Sequence, residues 1–183
     1  IYPDPESRAL RAALAGMTRR VRLGLIHQAN LLRHPAVAAK MAATLDRICG
    51  GRFTFFTDPG SNRREHQAYG LPWVDDHDER TARMVEGLEL TLALWTAPGP
   101  VDYAGRYYRL EGATCRPQPQ QVPHPPVWIG ATTPATYAAC ARLAQGWNTT
   151  PVPVAQLVRR RQQLAAACRQ VGRRVEDLET SLE

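Results

Sequence analysis

The sequence predicts an α/β fold in which parallel strands alternate with helices. Short apolar runs at 21–26, 52–57, 127–130 and 146–148 read as buried strands. Amphipathic stretches near 5–18, 35–49, 79–95, 134–143 and 154–171 are long enough for helices. The order is helix, then four strand–helix alternations, then a strand beginning at 179–183, which is the pattern of βαβ units. Periodicity alone leaves a closed barrel and an open sheet equally possible.

Each element has a local cause. Asp4-Pro5-Glu6 gives an acidic cap with Pro at the first helical position, and Leu10, Ala13, Leu14 and Met17 follow at helical spacing. His34-Pro35 opens the second helix, whose inner stripe is predicted as Val37, Met41, Leu45 and Ile48, and Gly50-Gly51 ends it. Arg52 to Thr57 is rich in Phe and Thr, as a strand should be. Asp58-Pro59-Gly60 is a strong break. A helical turn is expected over 63–69. Asp78 or a neighbour caps a long helix with Met84, Leu88, Leu92 and Trp95 inside. The stretch 97–126 is a Pro-rich excursion. Within it, 101–103 and 107–110 flank Ala104-Gly105-Arg106 in a hairpin-like pattern.

Composition narrows the class. Hydrophobic residues make up 44% and charged residues 22%, the balance of an ordinary globular domain. No basic leader precedes an apolar run, and no apolar stretch nears the roughly 18–20 residues that span a bilayer, so a soluble, cytoplasmic protein is expected. The net charge is +6, and Lys40 is the single lysine among 23 basic residues. The arginine skew reads as genome composition. The cluster Arg159, Arg160, Arg161, Arg169, Arg173 and Arg174 lacks stacking aromatics, so a solvated helix face is expected rather than a nucleic-acid surface. Cys49, Cys115, Cys140 and Cys168 form no CxxC pair and read as reduced thiols. No His pair has metal-ligand spacing, and no metal is expected.

Three ordered stretches run across nearly the whole chain. The first holds Arg22-Leu23-Gly24, Arg33-His34-Pro35, Thr44-Leu45-Asp46 and Gly50-Gly51-Arg52-Phe53. The second holds Asn62, Glu65-His66, Tyr69-Gly70, Arg80, Glu86, Leu88 and Leu94-Trp95. The third holds Gly105-Arg106-Tyr107-Tyr108, Pro117, Pro119, Gln121, Pro123, Pro125-Pro126, Ile129-Gly130 and Gly146-Trp147-Asn148. Together they resemble the luciferase-like flavin-dependent oxidoreductases, with the flavour of the branch that uses the deazaflavin F420 or FMN. The resemblance implies part of a (β/α)8 TIM barrel, forming a single domain over 1–183. It begins before the family's third strand and stops in its seventh, so strands one, two and eight are absent. A whole barrel takes about 250 residues. The resemblance also implies a homodimer through the helices at 5–18 and 35–49, on the side of Arg8, Ala12 and Ala38.

In such a barrel the site lies at the carboxyl ends of the strands. Gly130, Ala131, Thr132 and Thr133 run from a strand into a helix start, where free N–H groups and the dipole favour an anion. The resemblance implies that this loop and Thr149 hold the phosphate of F420 or FMN. The plainer reading is that Thr132 and Thr133 only cap a helix. The resemblance also places a non-prolyl cis peptide at Ile26–His27, behind the ring. His27 is then a candidate donor to substrate or ring, or simply a rim histidine. The fourth strand departs from the family's Gly-x-Gly-x-Gly-Trp. It reads Phe56-Thr57-Asp58-Pro59-Gly60-Ser61, so Asp58 is a new polar candidate in an altered pocket. The leading expectation is hydride transfer or oxygen activation on a small organic substrate, carried by the whole protein rather than by these 183 residues alone. The alternatives are a non-catalytic barrel relative acting as partner subunit or binding module and, from the last helix, a basic nucleic-acid binder.

Overall fold

The structure, a computed structural model, describes residues 7–26 and 28–182. The order is α1 (Ser7–Met17), β1 (Leu23–Gly24), α2 (Pro35–Ile48), β2 (Phe53–Thr57), α3 (Arg63–Ala68) and α4 (His77–Thr96). Then come β3 (Val101–Ala104), β4 (Arg109–Ala113), β5 (Val127–Gly130), α5 (Pro134–Leu143), β6 (Gly146–Thr149), α6 (Val154–Gln170) and β7 (Glu179–Leu182). Five strands form one parallel sheet in the order β1-β2-β5-β6-β7, and β3 and β4 form a separate antiparallel hairpin.

The sheet is curled. Five flat strands would put their outer edges about 19 Å apart. Yet Arg22, next to edge strand β1, donates two hydrogen bonds to Glu179 of the opposite edge strand β7, at 3.1 and 2.7 Å. Only a wall bent toward a barrel brings those two side chains together. The register then defines two faces. Phe53, Phe55, Val127, Ile129 and Trp147 face the helices and form the core with Met84, Leu88, Leu94, Trp95, Cys140 and Leu164. Thr54, Phe56, Trp128, Gly130, Gly146 and Asn148 alternate with them and face the hollow of the bend. Gly146 is needed there, because a Cβ would sit 2.2 Å from the Trp128 ring.

The helix ends follow the sequence logic. His34 and Pro35 open α2, and Gly50 and Gly51 close it with φ of +66° and +78°. Asp76, two residues before Asp78, caps α4 by accepting from the Asp78 N–H at 2.8 Å. The Asp4–Glu6 cap lies outside the described residues.

Three expectations are corrected. The strand at 21–26 is only Leu23–Gly24, because β1 is an edge with one neighbour; pairing to β2 resumes at a bridge between Ala29 and Asp58. The inner stripe of α2 is not Val37 and Ile48, which are exposed, but Ala38, Ala39, Ala42, Ala43 and Leu45. These small residues let α2 approach α4 closely enough for the Trp95 indole to donate to the Ala39 carbonyl at 3.0 Å. On α1, Leu10, Leu14 and Met17 stay exposed while Ala15 is buried and joins the core.

Several arginines of α6 and the turn after it are tied down within the chain. Arg161 pairs with Glu176, Arg174 with Asp177, and Arg173 donates to the carbonyls of Ala141 and Ala144. All four cysteines are buried and free. No helix among the described residues is long and apolar enough to cross a membrane.

Candidate cofactor site at the carboxyl ends of the strands

The carboxyl ends of β1 and β2 are linked by their loops. The Asp58 N–H donates to the Gln28 carbonyl at 3.2 Å, and the Asn30 N–H donates to the Asp58 carbonyl at 3.0 Å. The Asp58 carboxylate folds onto its own turn and accepts from the Gly60 N–H at 2.8 Å. Gly60 has φ +84°, and a Cβ there would lie 3.0 Å from Ala29, so the two loops meet at a glycine for steric reasons. Neighbouring β5 brings Gly130 to the same place. A Cβ on Gly130 would lie 3.2 Å from the Phe56 ring and 3.5 Å from the Asp58 Cβ. Asp58 and Gly130, far apart in sequence, thus share one rim with the exposed Ile26. His27 and the Ile26–His27 peptide lie outside the described residues.

The loop after β5 is organised by its own threonines. Thr133 caps α5. The Thr136 hydroxyl accepts from the N–H groups of Thr132 and Thr133, at 3.1 and 3.0 Å. The Ala131 N–H donates to the Asn148 carbonyl at 3.3 Å, and the Ala131 carbonyl accepts from the Trp147 indole at 2.9 Å. Three amides of the expected anion loop therefore already have partners inside the protein. The Thr132 side chain remains exposed on the rim.

At the end of β6, Thr149 is buried and its hydroxyl accepts from Arg160 of α6. Strand alternation puts Thr149 on the helix-facing side, while Asn148 faces the hollow. Arg160 also reaches the Thr150 hydroxyl at 3.3 Å, so a guanidinium stands beside this strand end. Burial raises the pKa of Tyr137 on α5, with the Arg160 charge acting in the opposite sense.

Asn148 was missed by the sequence reading. It is 1% exposed, its amide nitrogen donates to the Ser181 hydroxyl at 2.9 Å, and its side-chain oxygen has no protein partner. A buried, unpaired amide oxygen at a strand's carboxyl end is a group that a ligand can satisfy. Its signal was present in Gly146-Trp147-Asn148, where the period of two puts Asn148 opposite Trp147. Arg160 carried no such signal, because its contact spans eleven residues across a loop.

The rim thus offers bare backbone at Gly130, a hydroxyl at Thr132, an unpaired amide oxygen at Asn148, and a cation beside Thr149. That donor set fits a polar, phosphate-bearing cofactor with a flat ring laid against the hollow face. No group of three or more His, Cys, Asp or Glu among the described residues forms a metal cluster.

Comparison with known proteins agrees with this architecture. Residues 2–183 match the luciferase-like monooxygenase family. The chain is 34% identical over 115 residues to an FMNH2-dependent dimethylsulfone monooxygenase of Pseudomonas putida, covering 63% of this chain and 31% of that protein. It is 33% identical to an F420-dependent glucose-6-phosphate dehydrogenase of Nakamurella multipartita, over 98% of this chain and 52% of that one. The crystal structure of a monooxygenase from Streptomyces bottropensis superposes with a TM-score of 0.84 at 28% identity, covering 98% of this chain and 54% of that one. The chain therefore spans about half the length or less of these relatives, and its curled sheet corresponds to part of a (β/α)8 barrel. Nothing in these likenesses favours a non-catalytic relative. The chain belongs to the luciferase-like monooxygenase family.

Proposed function

We propose that the whole protein is a flavin- or F420-dependent oxidoreductase acting on a small organic substrate, as monooxygenase or dehydrogenase. The observation that carries this reading is the meeting of Gly130, Asp58 and Phe56 at the carboxyl rim of a wall from this family. FMN or F420 would supply the redox chemistry, accepting or delivering a hydride or activating oxygen. The protein's part is to bind, orient and exclude water.

In this reading Gly130, Ala131, Thr132 and Thr133 hold the phosphate end, chiefly through backbone approach at Gly130 and the Thr132 hydroxyl. Thr149 contributes through Arg160, whose charge it anchors. Asn148 offers its free oxygen to a donor on the cofactor. Phe56 backs the ring, and Ile26, His27 and Asp58 stand at the reacting end, with His27 as donor to substrate or ring. The intact protein is a cytoplasmic homodimer that pairs through the faces of α1 and α2. The exposed Leu10, Leu14, Met17, Val37 and Ile48 on those helices support that surface. In this reading the protein has no nucleic-acid partner; Arg160 and Arg161 of α6 are engaged within the chain.

The test is the absorbance spectrum of the full-length purified protein with added FMN and, separately, F420. A saturable shift at one cofactor per chain is expected for one of them. No shift with either would overturn the reading.

A further inference from the structure

The β3–β4 hairpin does not belong to the barrel wall, yet it touches the rim. Its tip is fixed by Glu86 of α4. One Glu86 oxygen accepts from the N–H groups of Tyr107 and Tyr108, both at 2.8 Å, and the other accepts from Arg106 at 3.0 Å. A Cβ at Gly105 would lie 2.0 Å from that carboxylate, so Gly105 is what lets the tip close around it. Three successive amides on one carboxylate make a charge-assisted clamp. The Arg83 guanidinium lies over the Tyr107 ring at 4.5 Å and adds to it.

From this fixed tip Tyr108 points inward. Its hydroxyl accepts from the Asn30 side-chain amide at 3.0 Å, and its ring meets His34 edge-on at 5.4 Å. Gly87, the neighbour of Glu86, leaves room for this, because a Cβ there would stand 2.7 Å from the Asn30 side-chain oxygen. Asn30, three residues beyond His27 in the sequence, in turn donates its backbone N–H to the Asp58 carbonyl. A continuous path thus runs from Glu86 through Tyr108 and Asn30 to the loop carrying His27 and to Asp58.

We infer that Glu86 and Tyr108 are positioning residues: the hairpin holds the β1–β2 rim in register with the cofactor ring. The catalytic part rests on the function proposed above. Their effect on the reaction is indirect, through Asn30 and Asp58. Small displacements suffice, since about 1 Å at a reacting centre can cost on the order of a hundredfold in rate.

The experiment uses the full-length protein with Tyr108→Phe, Asn30→Ala and the double variant. Tyr108→Phe deletes only the hydroxyl and keeps the ring packing. Hydrogen exchange at the Asn30 and Asp58 amides should quicken about tenfold, the worth of one buried hydrogen bond. The Tyr107 and Tyr108 amides, held by Glu86, should not change. With FMN or F420 bound, kcat should fall about tenfold with little change in KM, and the double variant should be no worse than Asn30→Ala. Unchanged exchange at Asn30 and Asp58 would overturn the inference, as would faster exchange with an unaltered kcat. If the unaltered protein binds neither cofactor, the proposed function fails and takes the catalytic part with it. Exchange then still decides whether the hairpin holds the loop.

Discussion

The two rims of the curled wall are built differently. At the amino ends of the strands, polar side chains close on backbone. Asp46 is 0% exposed, and its carboxylate accepts from the Gln120 N–H, the Gln121 N–H and the Gln121 side chain at 2.8, 2.9 and 2.7 Å. Gln121 also donates to the first carbonyl of β2, and the Gln145 oxygen accepts from the first amide of β5. Arg52 reaches the Val21 and Thr18 carbonyls and so ties α1 to the start of β2. At the carboxyl ends the Asn148 oxygen lacks a protein partner, Thr132 is exposed, and Gly130 presents bare backbone to Phe56. The Asp46 network closes the amino rim on backbone, whereas the carboxyl rim keeps the Asn148 oxygen, the Thr132 side chain and the Gly130 backbone open.

Substitutions on the two rims should therefore separate stability from binding. The largest effect is expected at Asp46. Asp46→Ala takes the acceptor from three part-buried hydrogen bonds, and unmade hydrogen bonds cost about 1–3 kcal/mol each. Denaturant unfolding should show a loss of about 3–5 kcal/mol, while the folded fraction keeps its affinity for the cofactor. Thr132→Ala should do the reverse. A hydrogen bond to a charged phosphate is worth about 1.5–3 kcal/mol, so cofactor affinity should fall about tenfold or more with the midpoint of unfolding unchanged. Equal affinity would leave Thr132 a rim residue only. Asn148→Leu removes an unpaired buried acceptor but also the hydrogen bond to Ser181, so it should lower stability by about 1 kcal/mol and weaken the cofactor by about tenfold.

The smallest effect is expected from pH. The hydrogen bond from Arg22 holds Glu179 below the ordinary glutamate range. The stability this pair contributes is present at neutral pH and is lost as pH falls through the depressed value. Both side chains are largely exposed, so the effect is at most about 1 kcal/mol. Glu179→Gln should flatten that part of the acid unfolding curve. At the alkaline end, burial pushes the Cys140 thiol up to about 12, above its ordinary 9.0. The folded protein keeps that proton where the unfolded chain releases it, so stability declines from about pH 9 upward. Cys140 should accordingly resist alkylation at neutral pH until the protein unfolds.

The sequence made local causes legible. His34-Pro35, Gly50-Gly51 and Thr133-Pro134 mark helix ends through bonds a few residues long, and they sit where the pattern put them. The strand–helix alternation gave the parallel wall for the same reason. Contacts between distant segments left no trace in the pattern: Tyr108 with Asn30, Asp46 with Gln121, Arg160 with Thr149. Periodicity also misjudged α2, because it weights Val and Ile over Ala, whereas close helix packing selected the alanines. At the site, Gly130 and Asp58 were legible as strand ends, but their proximity depends on β2 and β5 being neighbours across 69 residues of intervening chain, which no local signal records.

The most direct test is the dissociation constant of the full-length protein for FMN and for F420, measured beside that of Gly130→Ala. The added methyl would stand 3.2 Å from the Phe56 ring and 3.5 Å from the Asp58 Cβ, inside the proposed rim and remote from the Asp46 network. One cofactor should bind saturably to the unaltered protein, and Gly130→Ala should weaken it about tenfold or more while costing less stability than Asp46→Ala. Equal affinity in the two proteins, or no binding by either, would contradict a cofactor site at the carboxyl rim.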